Sequence, residues 1–369
     1  MIRVFAVEPT AVQLDWRTLP PGRRVLAVGD VAVDIDADGG PGAAVFDELA
    51  PGTEYPVTLD GRLVATATTL APPPGRLLCR VATISDLHVG ETRFGRLPRI
   101  DSGRDAAHAH PMFCTRAAID ELCRWGADLL VVKGDIAHYN RAAEYELAAT
   151  LLTDLPVPVM VLPGNHDGGN HRGHDPARTL ARHGLDLVEG VAAIDLPGLR
   201  VVALDSRTAT QRGTVEAATP EVVDALTAAP DGALVLLHHQ LATTPVPTYP
   251  PPGVPHGEAR RFLDAVAAAH PATVVTSGHT HRHRARRHGP LLVTEVGSTK
   301  DYPGTWGGYL VYEGGIVQTV RRVMAPEAIR WTDATTAMFG GAWGRWSPGR
   351  RSDRCISHVW ARDRALEQA

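Results

Sequence analysis

Histidine is absent from the first 87 of the 369 residues, although the chain carries 17 of them. Imidazole chemistry is therefore confined to residues 88–369. Cysteine is scarce: Cys79, Cys114, Cys123 and Cys355 are the only four, and no two stand in a Cys-x-x-Cys spacing. That argues against a zinc ribbon and a disulfide scaffold and fits a reducing compartment. A surplus of charge of one sign is missing as well. Lys and Arg number 37 against 41 Asp and Glu, a formal charge of −4, far from the basic excess of a dedicated nucleic-acid or membrane-surface binder. No apolar run approaches the roughly 18 residues that span a bilayer. Met1–Pro9 shows no basic region followed by an apolar stretch and a cleavage site. The expectation is a cytoplasmic protein with no membrane partner. Aromatic residues are few, at 5%.

What is present is enough for a sizeable core, with 44% hydrophobic and 21% charged residues. Glycine and proline, 36 and 29 positions, predict many loops. At roughly 100–200 residues per domain, two domains are expected. Residues 1–71 read as short antiparallel strands. Val12, Leu14 and Trp16 alternate with polar residues, Val25 to Ile35 is rich in valine, and Tyr55, Val57 and Leu59 alternate again. Turn signals separate them at Pro20-Pro21-Gly22, Asp38 to Gly42 and Asp60-Gly61. The run Glu48-Leu-Ala-Pro-Gly-Thr-Glu-Tyr-Pro-Val57 resembles the Leu-x-Pro-x-Thr-x-Tyr-x-Val segment of fibronectin type III domains. Trp16 falls where their core tryptophan is expected, which implies a small β-sandwich. Residues 72–77 follow as a proline-rich linker.

From residue 78 buried strands alternate with helices. Apolar runs lie at Leu78–Ile84, Leu129–Val132, Val157–Leu162, Leu199–Leu204, Ala233–Leu237, Thr273–Val275 and Leu291–Val296. Helical patterns lie at Thr115–Trp125, Ala142–Leu152, Pro220–Ala229 and Gly257–His270. Continuous apolar strands with helical crossovers predict an α/β domain whose sheets are covered on both faces. Residues 245–257, with six prolines, read as a loop. Residues 323–369 form an Arg- and Trp-rich extension, expected to pack onto the preceding domain.

Polar motifs follow five of these strands: Asp86-Leu87-His88, Gly134-Asp135, Gly164-Asn165-His166-Asp167, His238-His239 and Gly278-His279-Thr280-His281. Strand carboxyl ends form the crevice where α/β sheets bind ligands, so the five should converge. Singly they are modest signals, since Gly-Asp is common in turns and paired histidines after a strand are more often surface or core residues. Their order and placement carry the inference. Carboxylates, imidazoles and an amide oxygen suit divalent or trivalent ions such as Mn, Fe, Zn or Co. His-x-His on an extended segment lets His279 and His281 each reach a different ion. The glycines before Asp135, Asn165 and His279 permit sharp turns and close backbone approach.

The ordered set resembles that of the calcineurin-like metallophosphoesterases, over about residues 78–322. The resemblance implies a four-layer α/β/β/α sandwich of two mixed sheets, preceded here by the small all-β sandwich, with two metal ions at the strand ends. Carried over, Asp86, His88 and His281 hold the first ion, and Asn165, His238 and His279 the second. Asp135 bridges them. His238 is taken over His239, which is placed in the pocket lining. Two ions roughly 3.5–4 Å apart clamp a phosphate and supply a bridging hydroxide for in-line attack. His166 would protonate the leaving oxygen or stabilise its charge, and Asp167 would orient its ring.

The chain departs from the family at His138. Many members have a second Asp there and purple acid phosphatases a Tyr, so purple acid phosphatase is disfavoured. His138 is expected to contact the first ion as a ligand or from just behind one. The Leu237-His238-His239 and Gly278 to His281 spacing is similar to the class III cyclic-nucleotide phosphodiesterase and glycerophosphodiesterase branch. This implies a small-molecule phosphodiester as substrate. Other readings are a phosphomonoesterase, a nuclease, or a catalytically idle metal-binding scaffold. The last has no use for a histidine that binds no metal, such as His166. Between His88 and Thr115, the basic residues Arg93, Arg96, Arg99, Arg104, His108 and His110 offer donors for substrate phosphate. His171 and His174 invite the same reading less strongly. The near-neutral charge weighs against a nucleic-acid partner, and the oligomeric state is left open.

Overall fold

A computed structural model describes residues 1–95, 98–168, 174–246 and 251–361. Arg96, His171 and the middle of the proline-rich loop lie outside the described residues. Seven strands come first: β1 (Ile2–Val7), β2 (Val12–Trp16), β3 (Gly22–Val28), β4 (Val31–Ala37), β5 (Gly42–Phe46), β6 (Glu54–Leu59) and β7 (Arg62–Thr68). They pair antiparallel in two sheets, ordered β1-β2-β5 and β4-β3-β6-β7. Phe5, Leu14, Trp16, Leu26, Phe46 and Val57 form the core between them. The valine-rich run is two strands, because Gly29 adopts φ 58° and turns the chain into a hairpin.

The remaining elements are β8 (Leu77–Ile84), β9 (Arg93–Phe94), β10 (Ile100–Asp101), α1 (His110–Arg124), β11 (Leu129–Lys133), α2 (Ala142–Leu152), β12 (Val159–Leu162), α3 (Pro176–Ala181), β13 (Val191–Leu196), β14 (Leu199–Leu204), α4 (Thr219–Thr227), β15 (Gly232–Leu236), α5 (His256–Ala269), β16 (Thr273–Ser277), β17 (Arg284–His288), β18 (Leu291–Glu295), β19 (Thr305–Tyr312), β20 (Gly315–Arg322), α6 (Pro326–Thr335), α7 (Ala342–Trp346), α8 (Arg351–Arg354) and β21 (Ile356–Val359). Two mixed six-stranded sheets result, ordered β12-β11-β8-β19-β20-β21 and β13-β14-β15-β16-β18-β17.

Strand periodicity builds the layers. Val81, Leu129 and Val131 point inward and meet Val201, Leu234 and Val274 of the other sheet. Their neighbours Ala82, Leu130 and Val132 point outward beneath α1 and α2, while Val202, Ala233 and Val275 lie beneath α4 and α5. The architecture is the expected α/β/β/α sandwich. Among the described residues no helix is long and apolar enough to cross a membrane.

The described residues after β20 pack back onto this body. The Ala328 and Trp331 side chains of α6 join the outer core over α1, β21 pairs with β20, and Trp360 is fully buried between the sheets. The N-terminal sheets are seated on β20 by buried polar contacts. The Gln13 amide exchanges hydrogen bonds with the Arg322 backbone at 2.7 and 2.8 Å. Asp15 accepts from Arg322 at 3.0 Å with both side chains fully buried. Arg322 in turn donates to the Pro303 carbonyl at 3.1 Å, and Arg3 to the Tyr302 hydroxyl at 2.9 Å.

Candidate metal centre

The five motifs converge. Asp86 and His88 follow β8, Asp135 follows β11, Asn165 and His166 follow β12, His238 follows β15, and His279 and His281 follow β16. The turns are tight enough that Asp86, His88, Asp135, His279 and His281 all take left-handed backbone, with φ between 49° and 69°. Such conformations cost non-glycine residues on the order of 1 kcal/mol each and gather at functional sites. Two glycines allow the packing. A Cβ on Gly164 would collide with the Asp135 carboxylate, and one on Gly278 with the Ser85 hydroxyl.

Three groups of possible ligand atoms form, each within 4.8 Å of one another: Asp86, His88 and His281; Asp135, His238 and His279; and His88, His138 and His166. Asp135 stands between the first two. Its Oδ2 is 3.5 Å from His88 Nε2 and its Oδ1 3.4 Å from His238 Nε2. Asn165 Oδ1 lies 3.1 Å from His238 Nε2, which is also 3.1 Å from His279 Nδ1. The far ring nitrogen of His238 is tied to the Lys133 carbonyl at 2.7 Å. His281 Nε2 is 3.4 Å from Asp86, and its Nδ1 is 2.5 Å from Asp301.

These residues fit cations. Both ring nitrogens of His88 and Nε2 of His279 are buried without a hydrogen-bond partner, which is costly unless something else meets them. The electrostatics point the same way. Burial alone would depress His281, but the carboxylates of Asp301 and Asp86 hold it up at about 10. Burial is likewise outweighed at His238, which Asp135 raises to about 9. Asp86 is held down at about 2 against its burial, chiefly by His281. Burial and neighbouring cationic groups push His88 well below its usual value, and burial with His238 takes His279 to about 3. The carboxylates thus push His238 and His281 toward the cationic form, as they would favour a bound cation in the same place.

Two expected roles change. Asp167 does not touch the His166 ring. Its carboxylate accepts from the backbone N–H groups of Ile136, Ala137 and Gly164 at 2.8–3.0 Å and from the Tyr145 hydroxyl at 2.9 Å. It therefore fixes the turn that carries Asp135. The His166 ring is oriented instead by the His138 carbonyl, 2.8 Å from its Nδ1. His239 is fully buried against Ser206, at 2.8 Å, and does not line the cavity. His138 does line it, 5.7 Å ring to ring from His88.

The basic connection after His88 also differs from expectation. Arg93 pairs with Asp101, Arg104 with Glu327 and His108 with Asp105 at exposed positions. His110 is buried at the start of α1, 3.3 Å from Glu91 and stacked on Trp331. Among the described residues of this connection, Glu91, Phe94 and Gly95 reach the cavity. His174 bonds Thr179 at 2.6 Å. Sequence reasoning missed Glu91, Lys300 and Asp301. Lys300 and Asp301 follow β18, so the strand-end rule applied to the seventh apolar run would have found them.

Buried carboxylates and imidazoles gathered at the strand ends of a four-layer sandwich form groups that could hold metal ions. The chain belongs to the calcineurin-like phosphoesterase family, whose pattern matches residues 79–283, and it is a hydrolytic phosphoesterase. It is similar to a Psychrobacter arcticus protein named "Probable cyclic nucleotide phosphodiesterase", with 26% identity over 63% of this chain and 83% of that one. A Synechococcus protein of the same description is 26% identical over 45% of this chain and 62% of its own length. Among solved structures, a purple acid phosphatase from yellow lupin is 13% identical, with a TM-score of 0.47, over 87% of this chain and 72% of that chain.

Proposed function

We propose that the chain hydrolyses small phosphodiesters at a binuclear centre. Asp86, His88 and His281 would hold one divalent ion, Asn165, His238 and His279 the other, and Asp135 would serve both. The observation that carries this reading is the position of Asp135, whose two carboxylate oxygens face separate histidine groups at 3.5 and 3.4 Å. Bound ions would supply the positive charge that draws in a phosphate ester and yields a nucleophile from water near neutral pH.

The chain's own groups do the rest. His166 can donate Nδ1–H to the His138 carbonyl, which fixes the ring and leaves Nε2 to pass a proton to the leaving oxygen. Asp301 holds the His281 ring so that Nε2 faces Asp86. The similarity to proteins described as cyclic nucleotide phosphodiesterases supports diesters over monoesters. The test is hydrolysis of bis(p-nitrophenyl) phosphate against p-nitrophenyl phosphate by protein reconstituted with Mn(II) or Zn(II), beside Asp135→Asn. Preference for the diester, lost in the variant, is the expected result. Preference for the monoester would overturn the diester assignment.

The proposed division is 1–71, 72–77, 78–322 and 323–369. A fibronectin type III-like reading of the first part is supported by its three-plus-four strand order. It is also supported by Tyr55, whose hydroxyl accepts from the Ala50 N–H at 2.7 Å, as tyrosine corners of such sandwiches do.

A further inference from the structure

The cavity over the metal-ligand cluster, about 380 Å³, has two unlike walls. One is the histidine and carboxylate floor. The other is apolar and comes from two segments distant in sequence: Phe94, and Met338, Phe339 and Trp343. Phe94 belongs to the loop after His88, and the other three to the extension beyond β20, outside the matched residues 79–283.

This wall is built firmly. Met338 and Trp343 are buried together with Tyr302, and Phe94 and Ile100 pack on them. Gly95, at φ 83°, lets the loop close on Met338, because a Cβ there would strike the thioether. The Lys300 ammonium sits 4.5 Å over the Phe94 ring and is anchored to Glu91 at 2.6 Å. Trp343 reaches back to the floor, its ring 6.4 Å from that of His281.

Phe339 differs from its neighbours in two ways that fold stability does not reward. It is 65% exposed, so little of its ring is removed from water. It also has left-handed backbone, φ 52° and ψ 44°, followed by Gly340 and Gly341 with positive φ. A bulky residue rarely accepts that conformation. An exposed aromatic ring held at a cost beside a reactive centre is what a stacking surface requires.

We propose that Phe339, 6.4 Å ring to ring from Trp343 and lining the same cavity as Phe94, is a stacking subsite for a flat aromatic substituent of the phosphate ester, a nucleobase in particular. The subsite gives nucleoside diesters an advantage over small alkyl or glycerol diesters. It rests on the phosphodiester reading of the same site and narrows the substrate class.

The test compares two diesters with the same non-aromatic leaving group, the methyl ester of thymidine monophosphate and ethyl methyl phosphate, on the metal-loaded full chain. In Phe339→Ala the ratio of kcat/KM for the nucleoside ester over the ethyl ester should fall about tenfold, while Phe339→Tyr should retain it. Equilibrium binding of thymidine monophosphate, which requires no turnover, should weaken about tenfold in the same variant. Unchanged binding in Phe339→Ala, or an equal loss in Phe339→Tyr, overturns the subsite. Absence of hydrolysis of both esters, with base-dependent binding intact, overturns the phosphodiesterase reading and leaves the subsite standing.

Discussion

Asp301 Oδ2 lies 2.5 Å from Nδ1 of His281, and both belong to segments that end neighbouring parallel strands. The buried carboxylate fixes which nitrogen of His281 faces the cluster and raises the basicity of that ring. Asp301→Ala should therefore weaken metal binding by about 10- to 100-fold with the fold retained. Metal titration of the apoprotein followed by calorimetry checks this, and unaltered affinity would remove Asp301 from the site.

His166 tests the chemistry apart from metal binding. Its ring is held by a backbone carbonyl and not by Asp167. His166→Ala should lower kcat by about 10²- to 10⁴-fold at unchanged metal content. A substrate with a good leaving group, which needs no proton, should suffer less. Equal losses on good and poor leaving groups would argue against a proton donor.

Gly164 has φ −116°, a backbone that alanine accepts. The penalty of Gly164→Ala is thus the collision of the new methyl with Asp135, at its carboxylate and at its backbone nitrogen. The expected outcome is a protein with a lowered melting temperature that has lost metal and activity. Full activity would mean that the Asp135 carboxylate can move without consequence.

Metal removal should also be visible without substrate. Chelation leaves unpartnered nitrogens and repelling charges in a buried cluster, so the melting temperature should fall, and added Mn(II) or Zn(II) should restore it. Ion at 100 times its Kd is worth about 2.7 kcal/mol. A melting temperature indifferent to chelator and metal would contradict a resident ion.

The ion pair between Asp15 and Arg322 is fully buried on both sides. Removing Asp15 leaves the buried Arg322 with only a longer contact to Asp333, at 3.7 Å, and breaking a buried pair typically costs about 3–5 kcal/mol. Asp15→Ala should lose stability of that order in denaturant unfolding, whereas Arg23→Ala, which breaks an exposed pair with Asp34, should change it by less than about 1 kcal/mol.

Much of this was legible in the sequence for a physical reason. All seven apolar runs are strands because burial on both faces leaves an unbroken hydrophobic signature, as at Leu129–Lys133. Helix α2 matches at both ends. Elements without that signature were missed. Strand β17 reads Arg-Ala-Arg-Arg-His because it is a sheet edge. Strand β19 carries Gly307 and Gly308, whose missing side chains make room for Thr83 and Trp125 and dilute its pattern. At the site, ligand types and spacing were readable, but the partners of His166 and His281 were not. Those are contacts between residues 28 and 20 positions apart, fixed only once the strands are in register.

The seating of the first strands on β20 has a consequence for how the chain is made. Arg322 stands 307 residues after the carboxylate it neutralises, and Cys355 fills part of the core that Phe5 and Leu14 begin. A segment synthesised before the sandwich is thus completed only by residues synthesised after it. Until β20 and β21 are available, a nascent chain carries Asp15 and the rim of its first core exposed to water. A ribosome pausing after residue 322 would find the two segments still apart, and folding should finish as a late event shared by the first strands and those around β20 and β21.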